Sequence, residues 1–234
     1  MRTTSRIRAA AVSAIAIGAC LTFPAHAGDA PKFLPAPAID EPAADADRTE
    51  TAVLAGGCFW GMQGVFEHVK GVTRVWAGYS GGSYATAQYE IVSTGMTGHA
   101  ESVKIAFDPK LISYGEILRV YFSVAHDPTE LDRQGPDTGR QYRSDIFAAD
   151  DNQKRIATAY IAQLNAAHVF SALIVTRVDP FRAFFAAETY HQDFLVRNPD
   201  NPYIAYNDLP KIAALKQIYP TLYREAPVTL GAKS

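Results

Sequence analysis

The sequence predicts an α+β fold: a two-layer sandwich with helices packed on a mainly antiparallel, mixed sheet that has a ferredoxin-like core. Three observations lead there. Short apolar runs with strand-like patterning are interleaved with segments of helical period. Their order along the chain is strand, helix, strand, strand, helix, strand, helix, strand. The stretch from Thr49 to about Tyr223 shows no internal repeat and is long enough to enclose one core without disulfides.

Taken in order, Thr51 to Ala55 is a short apolar strand, and after Phe59 the residues Met62, Val65, Phe66 and Val69 form one helical stripe that Gly71 ends. Val72 to Tyr79 reads as a strand, Ser80 to Ser83 as a turn, and Val103 to Phe107 as a half-buried strand broken by Asp108-Pro109. Ser113-Tyr114-Gly115-Glu116 is a capping box with Ile112 and Ile117 as its hydrophobic staple, so a helix is expected from Tyr114 to about Val124. Ser144 to Ala148 is the next strand and Asp151 to about Ala167 a long helix. Ala172 to Val178 then reads as a strand and Phe181 to Phe194 as a helix. The tail Asp208 to Pro220 is helical with a proline near its first turn, and the last dozen residues look frayed.

The first 27 residues read as a targeting segment. Arg2, Arg6 and Arg8 precede an apolar run from Ala9 to Ala19, and Pro24-Ala25-His26-Ala27 has the small-x-small shape of a signal-peptidase site. The expected location is therefore exported and periplasmic. The alternative treats Ile17-Gly18-Ala19-Cys20 as a lipobox, with the chain anchored in the envelope through Cys20. At about eleven residues the apolar run is too short for a membrane-spanning helix. Cleavage after Ala27 removes three arginines and no acid, so the formal charge of −2 becomes −5 over the remaining 207 residues. That balance gives no basic footprint for nucleic acid. Gly28 to Arg48, with Pro31, Pro35, Pro37 and Pro42, reads as an extended linker or arm, and residues 49–234 as the functional domain, expected to be monomeric.

Three segments carry candidate chemistry. Cys58 stands in Gly56-Gly57-Cys58-Phe59-Trp60-Gly61, where a strand runs into a helix; unpaired N–H groups and the helix dipole there favour a thiolate and predict a lowered thiol pKa. The loop Tyr89 to Glu101 delivers a tyrosine, a histidine and a carboxylate just before a strand. Arg133 to Ser144, rich in glycine and hydrogen-bonding side chains, suits a loop that either lines a site or is simply solvated. His99-Ala100-Glu101 matches half of a zinc-deaminase signature, but no Pro-Cys-x-x-Cys accompanies it, so neither metal nor cofactor is expected. His126 and His191 read as core or supporting histidines.

Together these segments resemble the peptide methionine sulfoxide reductases of the A type. The resemblance rests on Gly57 to Gly61, Gly78 to Gly82, Thr97 to Glu101, His126-Asp127-Pro128 and Asp137 to Ser144, in the family's order from about Thr49 to Tyr223. It implies thiol-dependent reduction of methionine S-sulfoxide, with Cys58 attacking the sulfoxide sulfur, Phe59 and Trp60 holding the methyl group, and Tyr89, Glu101 and Tyr142 binding and protonating the oxygen. Asp137 would fix the substrate or its loop. A sulfoxide is a poor electrophile until its oxygen is protonated, so a neutral acid is required, and burial of Glu101 beside aromatic rings predicts a raised pKa.

One feature departs from much of that family, in which resolving cysteines form a disulfide with the oxidised nucleophile. Here no cysteine follows Cys58. The implied partner is an external thiol: a low-molecular-weight thiol, a glutaredoxin-like protein or a thioredoxin-like protein. A Cys-His hydrolase and a non-catalytic envelope module are the rival classes; activity on plain esters would favour the first, and loss of the thiol the second, yet Cys58, Tyr89, Glu101 and Tyr142 are all present.

Overall fold

The computed structural model describes residues 30–41 and 48–231, so the stretch read as a targeting segment lies outside the described residues. Along the chain run β1 (Glu50–Gly56), α1 (Phe59–Glu67), β2 (Val72–Ser80), α2 (Tyr89–Val92), β3 (Ala100–Phe107) and α3 (Tyr114–Val120). There follow β4 (Arg133–Gln134), β5 (Asp137–Thr138), β6 (Ser144–Ala148), α4 (Asp151–Ala166), β7 (Arg177–Pro180), β8 (Phe184–Ala186), α5 (Phe194–Arg197) and α6 (Leu209–Ile218). Six strands form one sheet in the order β7-β6-β1-β3-β2-β8, and β4 and β5 pair separately. The inner four, β6-β1-β3-β2, are antiparallel neighbours, while β7 joins β6 in parallel and makes the sheet mixed. Because α1 carries the chain from β1 across β3 to β2, this is the split β-α-β order of a ferredoxin-like core. The fold class is the expected α+β sandwich.

The alternation in β1 decides which face is which. Ala52 and Leu54 point into the large core with Met62, Val65 and Phe66 of α1, Ile117 and Leu118 of α3, and Ile156, Tyr160 and Leu164 of α4, all fully buried. Val53 and Ala55 point the other way, into a small cluster with Ala100 and Phe147. One face is thus helix-covered and the other is covered by loops.

Half of the capping box forms: Ser113 Oγ accepts the Glu116 N–H at 3.1 Å, with Ile112 and Ile117 buried, while the Glu116 carboxylate accepts from Arg119 Nη1 at 3.2 Å. The regular helix stops at Val120, however, and Tyr121–Ala125 continues as a π-helical turn. That wider turn lets Tyr121 Oη donate to the Ala55 carbonyl at 2.6 Å, tying the end of β1 in place just before Cys58.

Two expectations fail. The strand expected over Ala172 to Val178 begins only at Arg177, because the donors before it are already taken: Ile174 N–H by Asn165 Oδ1 at 3.0 Å and Val175 N–H by the Pro128 carbonyl at 2.9 Å. The helix expected over Phe181 to Phe194 is absent. Phe184–Ala186 instead pairs as an edge strand with Ser80, Tyr79 and Gly78 of β2, satisfying backbone groups that a helix would leave open, and Asp193 turns left-handed at φ 52°. The segment's phenylalanines mimic helical spacing but serve as cover for the sheet.

Residues 30–41 run extended and lie clasped against the domain. Leu34 is fully buried, its N–H donates to Tyr219 Oη at 3.1 Å, and Arg119 Nε donates to its carbonyl at 2.8 Å. Asp40 accepts from Gly115 N–H at 2.9 Å at the start of α3. The tail is likewise held rather than frayed as far as Leu230, whose N–H donates to Asp193 at 3.1 Å. Among the described residues no helix is long and apolar enough to cross a membrane.

Candidate active site

Cys58 occupies the N-cap of α1, directly after β1, and is half-buried. The turn that places it needs Gly57 at φ +89°, where a side chain would also strike Gln134 at 2.5 Å. One turn along, Gly61 lets the buried Asp208 approach, since a Cβ there would stand 2.0 Å from Asp208 Oδ1. The first free N–H of α1 is already used: Phe59 N–H donates to Glu101 Oε2 at 3.0 Å. Glu101 reaches it from β3, in register with Tyr79 of β2, and is 2 % exposed.

Two loops close over this junction. Arg143 holds them together, donating to the carbonyls of Gly98 and His99, each at 3.2 Å, and to Asp145 Oδ2 at 3.0 Å. That brings Tyr142 and Asp137 beside the strand carrying Glu101. Tyr89, at the start of α2, is fixed through its N–H to Glu188 Oε1 at 2.9 Å, while Tyr79 Oη donates to Glu188 Oε2 at 2.8 Å. The loop Tyr89 to Glu101 therefore opens with a short helix.

All seven residues singled out from the sequence line one cavity of about 200 Å³: Cys58, Phe59, Trp60, Tyr89, Glu101, Asp137 and Tyr142. Tyr203, missed by sequence reasoning, completes it; its hydroxyl donates to Asp137 Oδ2, and its ring meets Trp60 edge-on at 6.0 Å. Its only sequence signal was a lone aromatic after a polar turn. His191 stands behind the wall. Its Nδ1 accepts from Trp60 Nε1 at 3.1 Å, so it fixes the indole and reads as the supporting histidine expected. Phe194 stacks on the Trp60 ring at 3.9 Å. His126, also buried, bonds the Tyr121 carbonyl and does not line this cavity. Among the described residues there is no cluster able to hold a metal.

The electrostatics reverse one expectation and fit another. Burial pushes the Cys58 thiol well above its usual range, and the Glu101 and Asp208 carboxylates push further, against the opposing Trp60 backbone N–H. The predicted lowering at the helix start fails because burial outweighs the Trp60 N–H that still favours the thiolate, while Glu101 has taken the N–H of Phe59. Glu101 is itself raised to about 8, by burial first, with the Phe59 N–H opposing and Asp137 adding. It is therefore mostly protonated at neutral pH. Burial, then Glu101, also raises Tyr89 and Tyr142, so both phenols stay neutral donors. Asp137 is raised by burial against the Tyr203 bond and Lys211.

A small cavity with one thiol, a neutral carboxylic acid, two phenols and an aromatic wall defines a class: α+β proteins with a cysteine-centred, proton-donating pocket. The profile of the peptide methionine sulfoxide reductase family matches residues 50–222 of this chain. The chain belongs to that family and is a peptide-methionine (S)-S-oxide reductase. It is 59 % identical over 196 residues to "Peptide methionine sulfoxide reductase MsrA 2" of Mesorhizobium japonicum, covering 84 % of this chain and all of that one. The protein of the same description from Synechocystis is 51 % identical over 208 residues, covering 88 % and 95 %. Among solved structures, methionine sulfoxide reductase A of Corynebacterium diphtheriae is similar with a TM-score of 0.56 at 35 % identity, covering 64 % of this chain and 76 % of that one. Reduced Mxr1 of Saccharomyces cerevisiae is similar with a TM-score of 0.59 at 30 % identity, covering 68 % and 91 %.

Proposed function

We propose that this enzyme reduces methionine S-sulfoxide, free or in proteins, through a Cys58 sulfenic acid that an external thiol clears, and that it does so as a repair enzyme of the cell envelope. The observation that carries the mechanism is the pairing of Cys58 with a buried, protonated Glu101 in one cavity. The sulfoxide methyl rests on Phe59 and Trp60, and its oxygen faces Glu101, Tyr89 and Tyr142. Glu101 gives its proton to that oxygen as Cys58 Sγ attacks the sulfur, and the thiol's proton replaces the one given. Protonated Glu101 also no longer opposes a thiolate, so the acid prepares its own nucleophile. The sulfoxide sulfur gains two electrons and leaves as a thioether; Cys58 loses two and holds the oxygen as sulfenic acid. One external thiol condenses with it, releasing water and forming a mixed disulfide, and a second frees Cys58.

Cys58 is the free cysteine among the described residues, and Cys20 lies in the segment read as removed or lipidated. The export reading rests on residues 2–27 alone and places Ala27 at the cleavage point. One mass spectrum of the protein recovered from the envelope, treated with one equivalent of methionine sulfoxide and then dimedone, tests both. The expected result is a chain starting at Gly28 with one dimedone adduct on Cys58. An internally bridged chain that retains Cys20 would overturn both readings, and a disulfide-linked dimer would show that a second copy, not an external thiol, clears the sulfenic acid.

A further inference from the structure

The chain contains three methionines, and their settings differ sharply. Met1 belongs to the targeting segment. Met62 is fully buried in the core face of α1. Met96 is 88 % exposed, at the tip of the turn between α2 and β3, the two elements that carry Tyr89 and Glu101. In a protein that acts on oxidised methionine, an accessible thioether is therefore carried on the turn that joins the elements bearing Tyr89 and Glu101.

The turn displays that side chain and does not deliver it inward. Gly95 N–H donates to the Val92 carbonyl at 2.9 Å, Met96 N–H to Thr94 Oγ1 at 3.3 Å, and Gln141 Nε2 to the Ser93 carbonyl at 3.2 Å. Gly95 and Gly98 both adopt left-handed φ, at +74° and +76°, and Met96 between them stands clear of the domain. Met96 does not line the cavity, and the bonds around it oppose the inversion needed to bring its sulfur to Cys58 of the same chain. The cavity, at about 200 Å³, accepts a side chain and excludes a backbone, so its protein substrates need a protruding methionine. Met96, between glycines and hydroxyl residues, has that presentation.

We propose that a second copy of this chain is a substrate: Met96, once oxidised to its S-sulfoxide, is reduced in trans by Cys58 of another molecule. The inference rests on the proposed role of Cys58. The oxidant is a peroxide, which transfers one oxygen to the thioether and leaves as water. In repair that oxygen passes to Cys58 as sulfenic acid while Met96 sulfur regains two electrons, and two external monothiols return Cys58 to the thiol with release of a disulfide and water. The exposed methionine thus takes oxidising equivalents on this turn and the population of enzyme returns it to the thioether.

The test uses the Cys58→Ser chain as substrate. It is treated with hydrogen peroxide, freed of the oxidant, and incubated with dithiothreitol, with or without a trace of untreated wild type and with free methionine S-sulfoxide as an internal control. Mass spectrometry follows the Met96 peptide. The expected result is no change without wild type and, with it, loss of about half of the Met96 sulfoxide, the S half of a mixture of epimers, at a rate proportional to added enzyme. Retention of all the Met96 sulfoxide while the free substrate is consumed would overturn the inference alone. If the free sulfoxide also persists, the functional reading falls and the inference with it. Oxidised wild type clearing its own Met96 at a rate independent of concentration would overturn the trans assignment.

Discussion

The two ends of α1 each meet a buried carboxylic acid, and the acids differ in what they face. At the N-terminal end Glu101 accepts the Phe59 N–H and opens onto the cavity with Cys58. At the C-terminal end Glu67, fully buried, faces Asp193, whose carboxylate also takes the N–H of Leu230 in the tail. Burial is the leading cause of both shifts, raising Glu101 to about 8 and Glu67 to about 9. An elevated acid is therefore no signature of catalysis in itself. What separates them is space and a neighbour: Glu101 has a cavity, a thiol and two phenols, whereas Glu67 has a clasp that closes the tail over the helix.

The largest effect expected on this contrast is at the sulfur. Cys58→Ser, nearly isosteric, should abolish methionine sulfoxide reduction while the thermal midpoint stays put; turnover above a trace would take Cys58 out of the mechanism. Next is Glu101→Gln, which keeps the cavity's shape but cannot give a proton and should cost roughly 10² to 10⁴ in single-turnover rate. An unchanged rate would leave the phenols as sufficient donors. Trp60→Ala removes the wall between Phe194 and His191 and should lower kcat/KM by about ten- to two-hundred-fold, the scale of a lost apolar pocket contact. Equal kcat/KM in the two proteins would place the methyl group elsewhere.

At the other end of the helix the effect should be on stability alone. The folded chain holds the Glu67 proton to about pH 9, whereas an unfolded chain releases it near the ordinary 4.5. The unfolded state thus binds fewer protons between those values, and wild-type stability falls as pH rises through that window. Glu67→Gln lacks this loss. Its melting midpoint should gain on wild type from pH 5 to pH 9, by about 2–4 °C for each kcal/mol recovered, with activity at pH 7 unchanged. A constant gap across that range would mean the acid is already ionised in the fold.

The same contrast explains how far the sequence could be read. The junction of β1, Cys58 and α1 was legible because an apolar run, a glycine pair and a period of 3.6 residues are local, and the Ser113–Glu116 box marked α3 for the same reason. The resemblance supplied the seven cavity residues from segments spread over Cys58 to Tyr142. Tyr203 stayed hidden because its role comes from packing on Trp60, far away in sequence, with no motif around it. The thiol was misjudged for a related reason. A helix start favours a thiolate only while the sulfur keeps its water, and here burial comes first, with Glu101 and Asp208 brought in from β3 and the tail adding to it. The strand β8 reads as a helix because Phe181, Phe184 and Phe185 are spaced as on a helical face, although only the last two lie in the short edge strand.

The most direct test of the account is the pH dependence of the single-turnover rate for wild type, Glu101→Gln and Glu67→Gln. Glu101 as proton donor predicts that the wild-type rate falls as pH rises through about 8, where that group loses its proton. Glu67→Gln should keep this fall, and Glu101→Gln, already slow, should lose it. The same fall in all three proteins, or none in wild type, would contradict the assignment of the acid.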